Sequence, residues 1–105
     1  MAPGARNAIA NNFDGDVQLY EAFAMSCAGQ FASDIVAGQA SCDTGDLRAL
    51  HRLAHNLKSA LTMLGHDELF AAAHALETHA AAGDVPSARA SWRVVRAGLS
   101  SLGSP

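Results

Sequence analysis

Leu47, Leu50, Ala54, Leu57, Leu61 and Leu64 recur at alternating steps of three and four and are followed at once by Gly65. This spacing returns to one side of an α-helix on every turn, and glycine most easily takes the left-handed backbone that ends one. The stretch predicts a helix over about 46–64 with one buried face, which other helices must cover. The chain repeats the pattern. Leu69, Ala72, Ala73, Leu76 and Ala80 predict a second helix over about 67–82, capped by Asp67 and stopped at Gly83. Val85, Ala88, Trp92, Val95, Leu99 and Leu102 form a further stripe behind Asp84 and Pro86. Upstream, Val17, Tyr20, Ala24, Cys27, Phe31 and Ile35 mark a long helix with Phe13 as staple, Asp14 as N-cap and Gly38 near its end. Gly29 inside it either marks a close helix contact or is simply tolerated, at about 1 kcal/mol relative to alanine. Ser41 to Asp46 supplies the turn and caps that start the helix of 46–64. Before all of these, Ala5 to Asn11 allows a turn or two of helix between Pro3-Gly4 and the Asn11-Asn12 pair.

Short connections place sequence neighbours antiparallel, so four such helices predict an all-α, antiparallel up-down four-helix bundle with a short N-terminal helix packed at one end. Composition agrees: half of the 105 residues are apolar but only 6% are aromatic, which suits close helix packing better than a sheet. No linker or repeat divides the chain, and residues 1–105 are expected to form one domain. A net charge of −3 with no basic run gives no footprint for nucleic acid. Cys27 and Cys42 make neither a disulfide framework nor a zinc motif, and read as reduced and structural. Nothing approaches the roughly 18 uninterrupted apolar residues of a membrane span, and the opening residues lack an apolar signal core. A soluble, monomeric protein of the cytoplasm is expected.

One polar position stands out on the first of these helices. At about 100° per residue, His55 projects about 130° from the centre of the leucine stripe, among Arg48, His51, Ser59 and Thr62. It faces solvent, and Lys58 follows one turn later, where an ammonium can meet an anion held at the ring. His55 lies ten residues before Gly65 and Glu77 twelve after it. With about 1.5 Å rise per residue, an antiparallel hairpin sets the two level. Glu77 falls on the shoulder of its own apolar stripe, about 80° from the centre, so its carboxylate can reach the neighbouring helix and accept the proton of His55 Nδ1. That contact would leave Nε2 as the exposed nucleophile, as a carboxylate orients histidine in catalytic triads.

His55, Leu57, Lys58, Ser59, Ala60, Gly65, Leu69, Leu76 and Glu77 together resemble the histidine-containing phosphotransfer (HPt) domains of multistep phosphorelays. That family's motif reads H-x-L-K-[GS]-[SA], with a glycine ten residues past the histidine and a Leu-Glu or Leu-Gln pair in the next helix. Ser59 stands where glycine is commoner. The resemblance implies that His55 takes a phosphoryl group from a receiver-domain aspartate and passes it to another receiver. It implies further that Lys58 neutralises the phosphate and that Glu77 orients the imidazole. The partners implied are response-regulator receiver domains and a hybrid sensor histidine kinase, with Mg²⁺ supplied by the receiver and no cofactor bound by this chain. His51, Ser59, Thr62, Met63 and Phe70 surround His55 as a candidate docking rim, although Met63 and Phe70 are equally suited to core packing. The chain has no phosphate-binding loop or other nucleotide motif, so it is expected to be a phosphocarrier that does not use ATP itself.

Two rival readings belong beside this one. His51 and His55 are an i, i+4 pair, which is metal-ligand geometry on a helix, and His74 and His79 add imidazoles, so a metal-binding bundle is conceivable. Against it, His74 and His79 point in different directions and the Glu-x-x-His pairs of di-iron bundles are missing; no metal is expected. A purely structural helical interaction module is the other. Arg89, Arg93 and Arg96 line one side of the last helix and are expected to form a solvated face.

Overall fold

Two glycines in the left-handed region decide where the long helices stop. Gly45 (φ 73°) and Gly65 (φ 81°) each close a Schellman turn. Gly45 and Asp46 donate to the carbonyls of Cys42 and Ser41, and Gly65 and His66 donate to those of Thr62 and Leu61. Around these turns the computed structural model describes residues 4–103. It contains α1 (Ala5–Asn12), α2 (Val17–Thr44), α3 (Leu47–Leu64), α4 (Asp67–Ala81) and α5 (Val85–Gly103). Each of α2 to α5 packs against its neighbour in sequence, and α5 returns against α2. The four close into a bundle of the predicted kind, with α1 at one end.

The helix starts follow short acidic caps. Asp46 accepts the Ala49 N–H at 3.1 Å and Asp84 accepts that of Ser87 at 3.1 Å. Two caps differ from expectation. Asp16, not Asp14, caps α2 by accepting the Leu19 N–H at 3.0 Å; Asp14 itself has φ 54° and belongs to the turn. Asp67 is the first residue of α4, and His66 holds the N-cap position without a side-chain bond. There Asp67 and Glu68 favour the helix through its N-terminal dipole.

The larger correction concerns α2, which does not end near Gly38 but runs on through Ser41, Cys42 and Asp43 to Thr44. The hydroxyls of Ser41 and Thr44 bond back to the carbonyls of Ala37 and Ala40 at 3.0 and 3.1 Å, which lets capping residue types sit inside a helix. Gly38 is there for packing. Its missing side chain leaves room for the Trp92 indole, which a methyl group would strike. Gly29 meets nothing within contact distance and is the merely tolerated glycine.

At 28 residues against 18, α2 overshoots α3 by about 15 Å, and α1 covers the overshoot. Phe13 sits edge-on to Tyr20, with centroids 5.3 Å apart, and beside Phe23. Tyr20 donates its hydroxyl to the Leu64 carbonyl at 2.8 Å, and Asn12 donates to that of Met63 at 3.2 Å. Leu50, Ala54, Leu57, Leu61, Leu64, Ala73, Leu76, Ala80, Ala88, Trp92, Val95 and Leu99 form the buried core, in agreement with the stripes; Val17 is exposed. Both cysteines are buried and free, and no described helix is long and apolar enough to cross a membrane. The arginine side of α5 is not simply solvated. Arg89 donates to the Cys42 carbonyl at 3.2 Å, while Arg96 and the Trp92 ring N–H both donate to Gln39 Oε1, at 2.8 and 3.1 Å. Two of the three arginines thus tie α5 to α2.

The two helical glycines should respond to alanine in opposite directions. Gly38→Ala is expected to lower stability by about 1–3 kcal/mol through overpacking against Trp92, and Gly29→Ala to raise it by about 0.5–1 kcal/mol by restricting the unfolded chain. Urea unfolding of both variants reads the two signs.

Candidate functional site

The Gly65 turn joins α3 to α4 with only Gly65 and His66 between them, so residues equally far from it face one another. Glu77 Oε2 stands 2.6 Å from His55 Nδ1. The carboxylate's other oxygen, Oε1, accepts from Lys58 Nζ at 2.7 Å. Exposure differs sharply within the group: the His55 side chain is 66% exposed, Lys58 20% and Glu77 14%. The candidate nucleophile lies open while the groups that hold it are half-buried. A carboxylate accepts only, so when it is ionised Nδ1 carries the ring proton and Nε2 is left with its lone pair toward solvent.

Electrostatics keep that carboxylate charged. The Lys58 hydrogen bond, with smaller help from His55, holds the Glu77 carboxyl below the usual glutamate range, and partial burial opposes it only in part. Lys58 is itself cradled, with Nζ 5.8 Å from the Phe70 ring centroid. Of the candidate rim, Ser59 and Thr62 are exposed on the His55 side and His51 is half-buried. Met63 and Phe70 pack against the core from its edge. Arg48 lies two turns before His55 and within about 20° of its direction, with Arg52 one turn before it; both are exposed and add positive charge on that side.

The group has one further member that the sequence did not place there. His74 Nδ1 lies 3.4 Å from Lys58 Nζ and 3.7 Å from Glu77 Oε1, whereas the sequence suggested it only as a metal ligand. Its signal was present: it precedes Glu77 by three residues, on the same helix face, and lies nine residues past Gly65 where Lys58 lies seven before. Among the described residues no three His, Cys, Asp or Glu side chains are arranged to hold a metal ion. A groove of about 670 Å³ lies at the Gly65 end between α4 and α5, lined by Leu69, Val94, Gly98 and Leu102 among others, and touches none of His55, Lys58 and Glu77. The candidate nucleophile stands two-thirds exposed, open to a substrate carried by another macromolecule.

Residues 17–104 match the family model of the Hpt domain. The chain belongs to the Hpt domain family. No curated protein and no solved structure gives a match. Membership implies histidine phosphotransfer in phosphorelays, by carriers that work with receiver domains and kinases and do not use ATP themselves. The matched span of this Hpt domain takes in the bundle from the start of α2, and leaves α1 outside it.

A carboxyl group whose folded pKa is depressed contributes stability at pH above its ordinary value, lost as pH falls through the folded one. For Glu77 that window lies below the ordinary glutamate value of about 4.3. Because the Lys58 bond is the largest cause, Lys58→Ala is expected to move the Glu77 pKa upward and the acid limb of stability with it. Carboxyl-carbon NMR titration of Glu77 in both proteins checks this; an unmoved value would remove Lys58 as the cause.

Proposed function

We propose that this protein is a phosphorelay intermediate: His55 accepts a phosphoryl group from the aspartyl phosphate of one receiver domain and delivers it to the aspartate of another. The observation that carries the reading is the 2.6 Å contact between Glu77 and Nδ1 of a histidine whose side chain is two-thirds exposed. It supplies what a phosphoryl acceptor needs, a fixed tautomer with the free nitrogen outward.

In the forward step the Nε2 lone pair attacks phosphorus, the N–P bond forms and the P–O bond to the donor aspartate breaks, its electrons remaining on that carboxylate. No proton need leave. The ring keeps its Nδ1 proton and becomes a phosphorylated imidazolium, whose positive charge faces the Glu77 carboxylate. Return of the phosphoryl group to a second aspartate reverses each bond change, so a stabiliser of the charged ring acts in both directions. Lys58 supplies the positive charge for the phosphate oxygens. Mg²⁺ belongs to the receiver, where it balances the aspartyl phosphate. The receiver would cover His51, Ser59 and Thr62, with Met63 and Phe70 at the edge. A hybrid sensor kinase is the natural upstream source, since this chain carries no nucleotide motif of its own.

Incubation with a phosphorylated receiver domain tests the proposal by acid-labile phosphate on the protein. His55→Gln is expected to abolish acceptance with melting nearly unchanged, because the side chain is outside the core, and His51→Gln to accept normally. Glu77→Ala should retain transfer at a rate lowered about tenfold, the order expected for a group acting through another. Labelling of the His55→Gln variant at the wild-type level would overturn the assignment.

A further inference from the structure

Lys58 has two duties: it donates to Glu77 Oε1 at 2.7 Å, and in the phosphotransfer reading it meets the phosphoryl group. Glu77 occupies the Nδ1 edge of the His55 ring through Oε2, and Lys58 sits beyond it on Oε1. The phosphoryl group would arrive at Nε2, on the opposite edge. In the phosphotransfer reading the ammonium leaves Oε1 for the phosphoryl oxygens, a move its flexible four-carbon stem permits. That move takes from a half-buried carboxylate the hydrogen bond that does most to keep it charged, at the step where the ring most needs the charge.

His74 is already in place to cover the vacancy. Its Nδ1 is 3.4 Å from Lys58 Nζ and 3.7 Å from Glu77 Oε1, and its side chain is 60% exposed, so the ring can exchange protons with water. While Lys58 is present, Nδ1 faces an ammonium that can only donate, and must itself accept. Once the ammonium leaves, a proton on Nδ1 would point at Oε1. The other groups around this pair are the Phe70 ring beneath Lys58 and His55 across the carboxylate.

We propose that His74 is a positioning residue that takes over Glu77 Oε1 when Lys58 turns to the phosphoryl group, so that the carboxylate keeps its hold on His55 Nδ1. The proposal rests on the phosphotransfer reading above and adds to it an exchange of partners on one oxygen. His74 Nδ1 takes a proton from solvent and Nε2 gives its own up to solvent, so the ring exchanges one neutral tautomer for the other.

Ring-nitrogen NMR on the full chain tests this in two arms. In unphosphorylated wild type His74 Nδ1 should show the shift of an unprotonated acceptor; in Lys58→Ala, without any phosphoryl donor, it should already carry the proton. After phosphorylation by a receiver domain, wild-type His74 Nδ1 should gain that proton too. His74→Ala is expected to slow transfer about tenfold with unchanged melting, and His74→Asn, whose amide can both accept and donate there, to recover most of the rate. An Nδ1 signal that is the same in wild type and Lys58→Ala overturns the exchange, and so does a His74→Ala variant that transfers at the wild-type rate. Failure of His55 to be labelled at all would instead overturn the phosphotransfer reading, with the Lys58→Ala arm still deciding the exchange.

Discussion

The antiparallel register of α3 and α4 is the constraint on which the site depends, and the Gly65 turn sets it. A left-handed residue at that position lets the chain reverse within two residues, with the Thr62 and Leu61 carbonyls in the last turn of α3 satisfied by the N–H groups of Gly65 and His66. A longer or differently wound connection would slide one helix along the other by about 1.5 Å for each residue of register. Such a slide is enough to separate a carboxylate from an imidazole nitrogen. Gly65 also lies against Gly4 and Ala8 of α1, so the small helix at the bundle end packs on the turn that fixes the hairpin.

Within that register, charge is distributed unevenly. One half-buried carboxylate is shared among His55, Lys58 and His74, all reaching it from the two helices of a single hairpin. The Glu77 side chain is only 14% exposed, and this partial exclusion of water strengthens its contacts. The imidazole, by contrast, stands open to whatever docks.

Much of this was legible in the sequence because it depends on periodicity and counting. The apolar stripes mark the four bundle helices, and similar distances from Gly65, ten and twelve residues, set His55 and Glu77 level. What escaped was decided by contacts at long range. Gly38 looked like a helix end because glycine usually is one; only the Trp92 indole, distant in sequence, explains a glycine in mid-helix. Ser41 and Thr44 looked like caps because their hydroxyls compete for backbone, and here they do so inside the helix. Arg89 and Arg96 passed for a solvated face because nothing local signals that Gln39 and the Cys42 carbonyl lie opposite. His74 is legible only against Glu77 three residues on, and not as one of a set of metal ligands.

The Trp92–Gln39 hydrogen bond joins residues 53 positions apart, whereas His55 and Glu77 are separated by 22. Closing the longer loop costs about 0.8 kcal/mol more chain entropy by the logarithmic scaling of loop closure. The seam between α2 and α5, with its glycine pocket and twin donors on one glutamine oxygen, thus bears the larger entropic burden of sealing the bundle. The candidate site lies on the hairpin with the shorter loop, so the groups that meet there are those whose encounter asks least of the unfolded chain.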